Sequence, residues 1–207
     1  MKLFKSMIIG SLLLFSCSAL FAMADRELLS AGGIYAYTSN TETDIQFSGP
    51  GFYIYGLSQF NKDVPFMMFT DGTYVFPTKI SDDGVEYERD YYNFLFAWDV
   101  ILGGGCTKAL VPDIVWLNAG VGFYFSQLFS YTALADTRDT ILGVGASVSL
   151  ELLPAEPIAV ELGVRGSLGM IDFQKVRYHR NYMEDEDNTE TGLCLNIGVR
   201  FGLGVQF

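Results

Sequence analysis

The sequence predicts an all-β protein: a transmembrane up-and-down antiparallel β-barrel of eight strands. Three observations lead there. From Leu193 to Phe207 every odd position is apolar and every even position is small or polar, the period of one strand with two unlike faces. The same alternation recurs along the chain in segments divided by turn residues, as in a barrel wall. Long helical periodicity is missing. Beyond the N-terminal segment no run reaches the roughly 18 apolar residues of a spanning helix.

The facing follows from the second set of side chains. In Leu193–Phe207 it is Cys194, Asn196, Gly198, Arg200, Gly202, Gly204 and Gln206. A water-exposed strand face carries Lys, Glu, Thr or Gln instead. Small residues suit the inside of an eight-stranded barrel, whose interior is only just wide enough for side chains to fill. The apolar face is therefore assigned to lipid and the small, polar face to the lumen. A soluble barrel or sandwich is the competing architecture.

The chain has 207 residues with 12 Tyr, 17 Phe and 22 Gly, enough for one domain with a full core. Its start reads as a secretion signal. Lys2 and Lys5 precede an apolar stretch from Met7 to Leu20, and Ala22-Met23-Ala24 offers small residues at the cleavage spacing. Residues 1–24 are expected to be removed, leaving 25–207 as the barrel domain. Lipoprotein processing at Cys17 is the alternative. It is opposed by bulky Phe15 and by the apolar run that continues past Cys17. Loss of Lys2 and Lys5 takes the net charge from −11 to −13, which excludes nucleic-acid binding by phosphate neutralisation.

The predicted strands follow in chain order. Leu28–Thr38 is the first, followed by a polar turn over 39–44. Ile45–Gln59 returns, interrupted at Ser48-Gly49-Pro50-Gly51, so its facing stays open. After Asn61-Lys62-Asp63 comes Val64–Phe76, with Val64, Phe66, Met68, Tyr74 and Phe76 on one face. Asp71-Gly72 within it reads as a bulge, with a turn as the alternative. Pro77–Asp90 is an acidic loop. Tyr91–Cys106 places Phe94, Phe96, Trp98, Val100 and Leu102 outward and Asp99 inward. Lys108–Asp113 is a turn; Val115, Leu117, Val121, Phe123 and Phe125 then face out. Ser130–Asp139 is read as a loop. Leu142–Leu152 and Ile158–Met170 flank a tight Pro154-Ala155-Glu156-Pro157 turn, placing Glu151, Glu161 and Arg165 inward. Asp172–Thr191 is the longest loop before the closing strand. Short turns at one end and long loops at the other match the bacterial outer-membrane arrangement, with the long loops outside.

This secreted start, the eight alternating strands, the turn–loop asymmetry and the terminal Phe207 resemble the OmpA/OmpX-type eight-stranded outer-membrane β-barrel proteins, over about residues 25–207. Phe207, with Phe201, Leu203 and Val205 at alternating positions before it, resembles the signal read by the barrel-assembly machinery. The resemblance implies an outer-membrane location in a Gram-negative-type envelope and a closed monomeric barrel. It does not select among structural anchors, adhesins, small channels and enzymes, since one fold hosts many functions.

The inward charges are few: Asp99, Glu151, Glu161, Arg165 and Arg200. They read as a lumen-lining polar network in which two arginines and three acids pair, because buried charges must pair or cost several kcal/mol each. A selective pore is the competing reading. The single histidine, His179, lies far along the chain from the inward serines Ser147, Ser149 and Ser167, so no acyl-transfer site assembles and no enzyme is expected. No metal or cofactor is expected either: Met183–Thr191 lacks the spacing of an EF-hand loop. Cys106 and Cys194 fall at opposite ends of the barrel, too far apart for a disulfide. Tyr91, Tyr92, Trp116, Phe129, Tyr131, Phe173 and Phe207 are read as interfacial girdle aromatics. The expected role is a small outer-membrane barrel anchoring surface loops, structural or adhesive, with a mostly filled lumen. An extracellular ligand would meet loops 77–90 and 172–191. The alternative is a narrow channel for small or hydrophobic solutes.

Overall fold

Among the described residues eleven strands form one antiparallel sheet, and eight of them close it into a ring. In chain order they are β1 (Arg26–Asn40), β2 (Gln46–Gln59), β3 (Phe66–Val75), β4 (Lys79–Asp82), β5 (Val85–Tyr87), β6 (Phe94–Val111), β7 (Val115–Tyr131), β8 (Ala135–Ala155), β9 (Ile158–Tyr178), β10 (Glu186–Glu190) and β11 (Cys194–Gln206). The computed structural model describes residues 24–41, 45–61, 63–82, 84–87, 94–179 and 186–207. The ring runs β1–β2–β3–β6–β7–β8–β9–β11 and returns to β1. Strand β1 pairs β2 from Arg26↔Gln59 and β11 from Leu28↔Gln206. Closure leaves the ring no open edge, which lipid could not hydrogen-bond.

Alternation sets the faces. Val199 is 54% exposed and its neighbour Arg200 only 1%. Along β8, β9 and β11 buried and exposed positions alternate as the sequence pattern predicts. The buried set is the small and polar one, so the apolar side chains point outward. A closed cylinder with its greasy surface outside is a membrane-spanning barrel. Tyr74 faces outward too, yet it is buried, because it stacks on Phe52 with ring centroids 4.6 Å apart and lies 5.9 Å from Phe96.

Several segments differ from their sequence reading. Asp71-Gly72 is neither bulge nor turn: β3 pairs β2 and β6 without a register shift. The Ser48–Gly51 interruption is also absent, since β2 pairs β1 straight through it. Pro50 instead falls opposite Phe76, between the ends of β3 and β4. It accepts the Phe76 N–H at 2.9 Å and has no N–H to return. The expected turn over Lys108–Asp113 shrinks to three residues, because β6 runs on to Val111.

The outer side changes most. Ser130–Asp139 is a tight turn over 132–134, with β7 and β8 paired up to Tyr131↔Asp136. In place of one long loop over Asp172–Thr191, β9 runs on to Tyr178 and β10 pairs back along it. The Pro77–Asp90 segment contains the β4–β5 hairpin. At 21 residues, β8 and β9 are roughly twice the 9–11 residues needed to cross. Polar side chains on both faces hide such extensions from pattern reading. Backbone pairing continues regardless once the hairpin is started. Tyr91, Tyr92 and Asn93 lie outside the described residues.

Candidate functional site

The lumen is the only enclosed polar environment the fold builds among its described residues, and it is filled in three layers. At the base Arg26, the first residue of β1, turns inward. Its guanidinium pairs with Glu151 and lies 4.1 Å from the ring centroid of Trp116. It also donates to Thr107 Oγ1 at 3.2 Å, and Thr107 in turn donates to Asn118 Oδ1 at 2.6 Å. Trp116, expected in the interfacial girdle, therefore faces the lumen. Its place on β7 has the parity of Asn118 and Tyr124.

The middle layer holds the charge. Arg200 on β11 pairs with Asp71 and with Glu161, the latter at 2.8 Å from Nη2 and 3.0 Å from Nε. Arg165 on β9 pairs with Asp99 and reaches Asp71 at 3.3 Å. Asp71 thus joins both arginines across the lumen from β3. Glu161 is further held by Ser30 and by the Tyr53 hydroxyl at 3.1 Å. The Arg200 guanidinium lies 4.4 Å from the Tyr55 ring centroid and 5.2 Å from that of Tyr53. Charges taken from water need both counter-ions and further hydrogen bonds, and this layer supplies both.

The sheet makes room for it unequally. Strands β2, β3 and β6 send Tyr53, Tyr55, Phe69 and Ile101 into the lumen, all buried. Strands β7 and β8, further round the ring, answer with glycine. A Cβ on Gly145 would sit 2.6 Å from Ile101 Cδ1, and one on Gly120 would sit 2.5 Å from Phe69 Cε1. Gly145 and Gly120 are thus the sockets for Ile101 and Phe69. Toward the outside, Phe47, Val75, Ile80, Leu95 and Leu128 close the interior with an apolar cluster. A pocket beside it, lined by Thr38, Asn40, Asp139 and Cys194, has room for about one water.

Of the expected network residues, Asp99, Glu161, Arg165 and Arg200 come together in the middle layer, and Glu151 sits apart at the base. Glu161 and Arg165 do not pair with each other along β9; each finds a partner on another strand. Two members were missed. Asp71 hid in an Asp-Gly pair, which resembles a turn, although its parity in β3 matches inward Phe69. Arg26 lay beside the expected cleavage site, two residues before inward Leu28. His179 stands outside on the loop side, its Nε2 2.8 Å from Asp136 Oδ1, while Ser147 and Ser149 are buried in the lumen. Cys106 is exposed low on β6, whereas Cys194 is buried at the other end of the barrel.

These features define a class: an eight-stranded transmembrane β-barrel with a filled lumen. Solved structures share the fold. The outer membrane protein OprG from Pseudomonas aeruginosa superposes with a TM-score of 0.63 at 8% identity, over 89% of this chain and 97% of that one. Neisserial surface protein A gives 0.56 at 11% identity, over 87% and 97%. Ail, the attachment invasion locus protein of Yersinia pestis, gives 0.53 at 10% identity, over 89% and 100%. No protein-family model matches the sequence, and no curated protein matches it. At these identities the likeness is one of fold, that of a small outer-membrane β-barrel.

Proposed function

We propose that this outer-membrane barrel is a non-conducting, non-enzymatic anchor that presents its external strands and loops at the cell surface. Its role would be in envelope structure or adhesion. The observation that carries this reading is the occluded lumen. The ion pairs around Asp71, Arg165 and Arg200, with buried Tyr53, Tyr55 and Tyr124, occupy the lumen between base and mouth. Two proteins of like fold, an attachment invasion locus protein and a surface protein, agree with a surface role. The external segments 77–90 and 172–191 are the surfaces offered to an extracellular ligand. In this reading residues 1–24 direct secretion, the strand ending at Phe207 engages the barrel-assembly machinery, and the barrel works as a monomer.

Planar-bilayer recording tests it. The refolded barrel is expected to show no conductance steps above a protein-free membrane. Sustained steps would replace the anchor with the narrow channel.

A further inference from the structure

The two arginines of the middle layer are not equally served. Every nitrogen of the Arg200 guanidinium is bonded: Nε and Nη2 donate to Glu161, Nη2 also to Ser147 Oγ at 3.1 Å, and Nη1 to Asp71. Arg165 lies one dyad nearer the mouth, opposite Gly198, whereas Arg200 stands opposite Gly163. Its two terminal nitrogens face Asp71 and Asp99, but its Nε makes no hydrogen bond within the protein. The next dyad toward the mouth repeats the pattern. Ser167 and Asn196 are direct cross-strand partners, yet Ser167 Oγ and Asn196 Oδ1 bond neither each other nor any other group. Arg165, Ser167 and Asn196 are only 2%, 5% and 4% exposed.

Buried polar atoms are bonded to protein or to water in nearly all native structures. The demands of this group name the partner. Arg165 Nε must donate and Asn196 Oδ1 must accept, so a cation cannot serve the first nor an anion the second. Water serves both, and about three polar contacts are usual for a buried one. The fold provides an approach. Asn196 Nδ2 donates to Thr38 Oγ1 at 2.9 Å. The Tyr124 hydroxyl stands beside Ser126 and beside Ser167, which it does not bond. Thr38 and Ser126 both line the pocket near the mouth that has room for about one water. Polar groups therefore lead from that pocket to Arg165. Below it the fully bonded Arg200, with the Tyr55 ring centroid 4.4 Å from its guanidinium, ends the row.

We infer that water enters the lumen from the mouth along Thr38, Ser126, Asn196 and Ser167 and stops at Arg165 Nε, leaving Arg200 dry. This one-ended seam rests on the occluded lumen of the proposed function. The probe is deuterium oxide. The isotope-labelled barrel is refolded in detergent and transferred to it, and the Nε–H signals of Arg165 and Arg200 are followed by NMR. Arg165 is expected to exchange faster than Arg200 by about ten-fold or more, since protection follows bonding and exclusion of solvent. Asn196→Leu removes the acceptor and fills its place. It is expected to slow Arg165 by about five-fold or more and to leave Arg200 unchanged. Arg165 exchanging no faster than Arg200 overturns the inference, as does a closed Asn196→Leu barrel in which Arg165 exchanges as in the wild type. Heat-modifiable gel mobility verifies closure. Where Asn196→Leu does not close, Ser167→Val takes its place with the same two outcomes. Conductance steps in a planar bilayer would remove the occluded lumen, whereas slow Arg165 exchange in a non-conducting barrel removes the seam alone.

Discussion

Asp71 and Arg200 meet in the centre of the lumen although 129 positions separate them in the chain. Asp71 also reaches Arg165, so one carboxylate on β3 ties β9 and β11 to the opposite wall. Adjacent strands are already joined by backbone bonds. This contact instead braces the cylinder across its diameter.

Removing one member strands the others in a dry interior. Arg200→Ala leaves Asp71 and Glu161 short of their main counter-ion. A loss of about 3–5 kcal/mol is expected for a broken buried pair, measured by urea unfolding of the barrel in lipid vesicles. The same measurement on Asp71→Asn, which keeps the shape and drops the charge, should also show a loss, because Arg165 and Arg200 each lose a counter-ion and the brace between them. A change below about 0.5 kcal/mol for both would mean that the network contributes nothing to stability.

At the base, Arg26 holds Glu151 and lies over Trp116. Arg26→Lys keeps a charge for Glu151 but loses the planar stack. It should cost less than Arg26→Ala, by an amount that includes a cation–π term of about 0.5–2 kcal/mol. Trp116 emission should shift in both variants. Unchanged emission would show that the guanidinium does not lie against the indole.

The glycine sockets make a paired prediction. Gly145→Val drives a side chain into Ile101 and should destabilise by about 1–3 kcal/mol. Combining it with Ile101→Ala should recover part of that loss, since residues in contact couple. Strict additivity in the double-mutant cycle would separate the two positions. Gly120 and Phe69 offer the same test on β7 and β3.

Facing can be probed from the lipid side. Val199→Arg places a charge on the outer wall and should cost about 2–4 kcal/mol near the bilayer midplane. Ala133→Arg, exposed in the external turn between β7 and β8, should cost almost nothing. Equal costs at the two sites would reverse the assignment of inside and outside.

How much was legible depends on where each residue sits. On β8, β9 and β11 the alternation between apolar and small residues was enough to place Glu151, Glu161, Arg165 and Arg200 inside, because lipid and lumen are unlike solvents and sort side chains by parity. Beyond the membrane that contrast vanishes. Both faces of 135–139 and 174–178 are mostly polar, and those stretches read as loops although their backbones stay paired. Asp71 was obscured by a local turn signal that continuous pairing on both sides of β3 overrode.

The sequence by itself determined a closed wall of eight strands, its greasy exterior and the parity of its inward charges, all consequences of a two-residue period. Only the tertiary structure decided that Asp71 bridges Arg165 and Arg200, that Arg26 lies over Trp116, and that Arg138 stands beside Lys175. These depend on which strands the ring sets opposite one another and on the register of each pair. Neither quantity is carried by the pattern of any single strand.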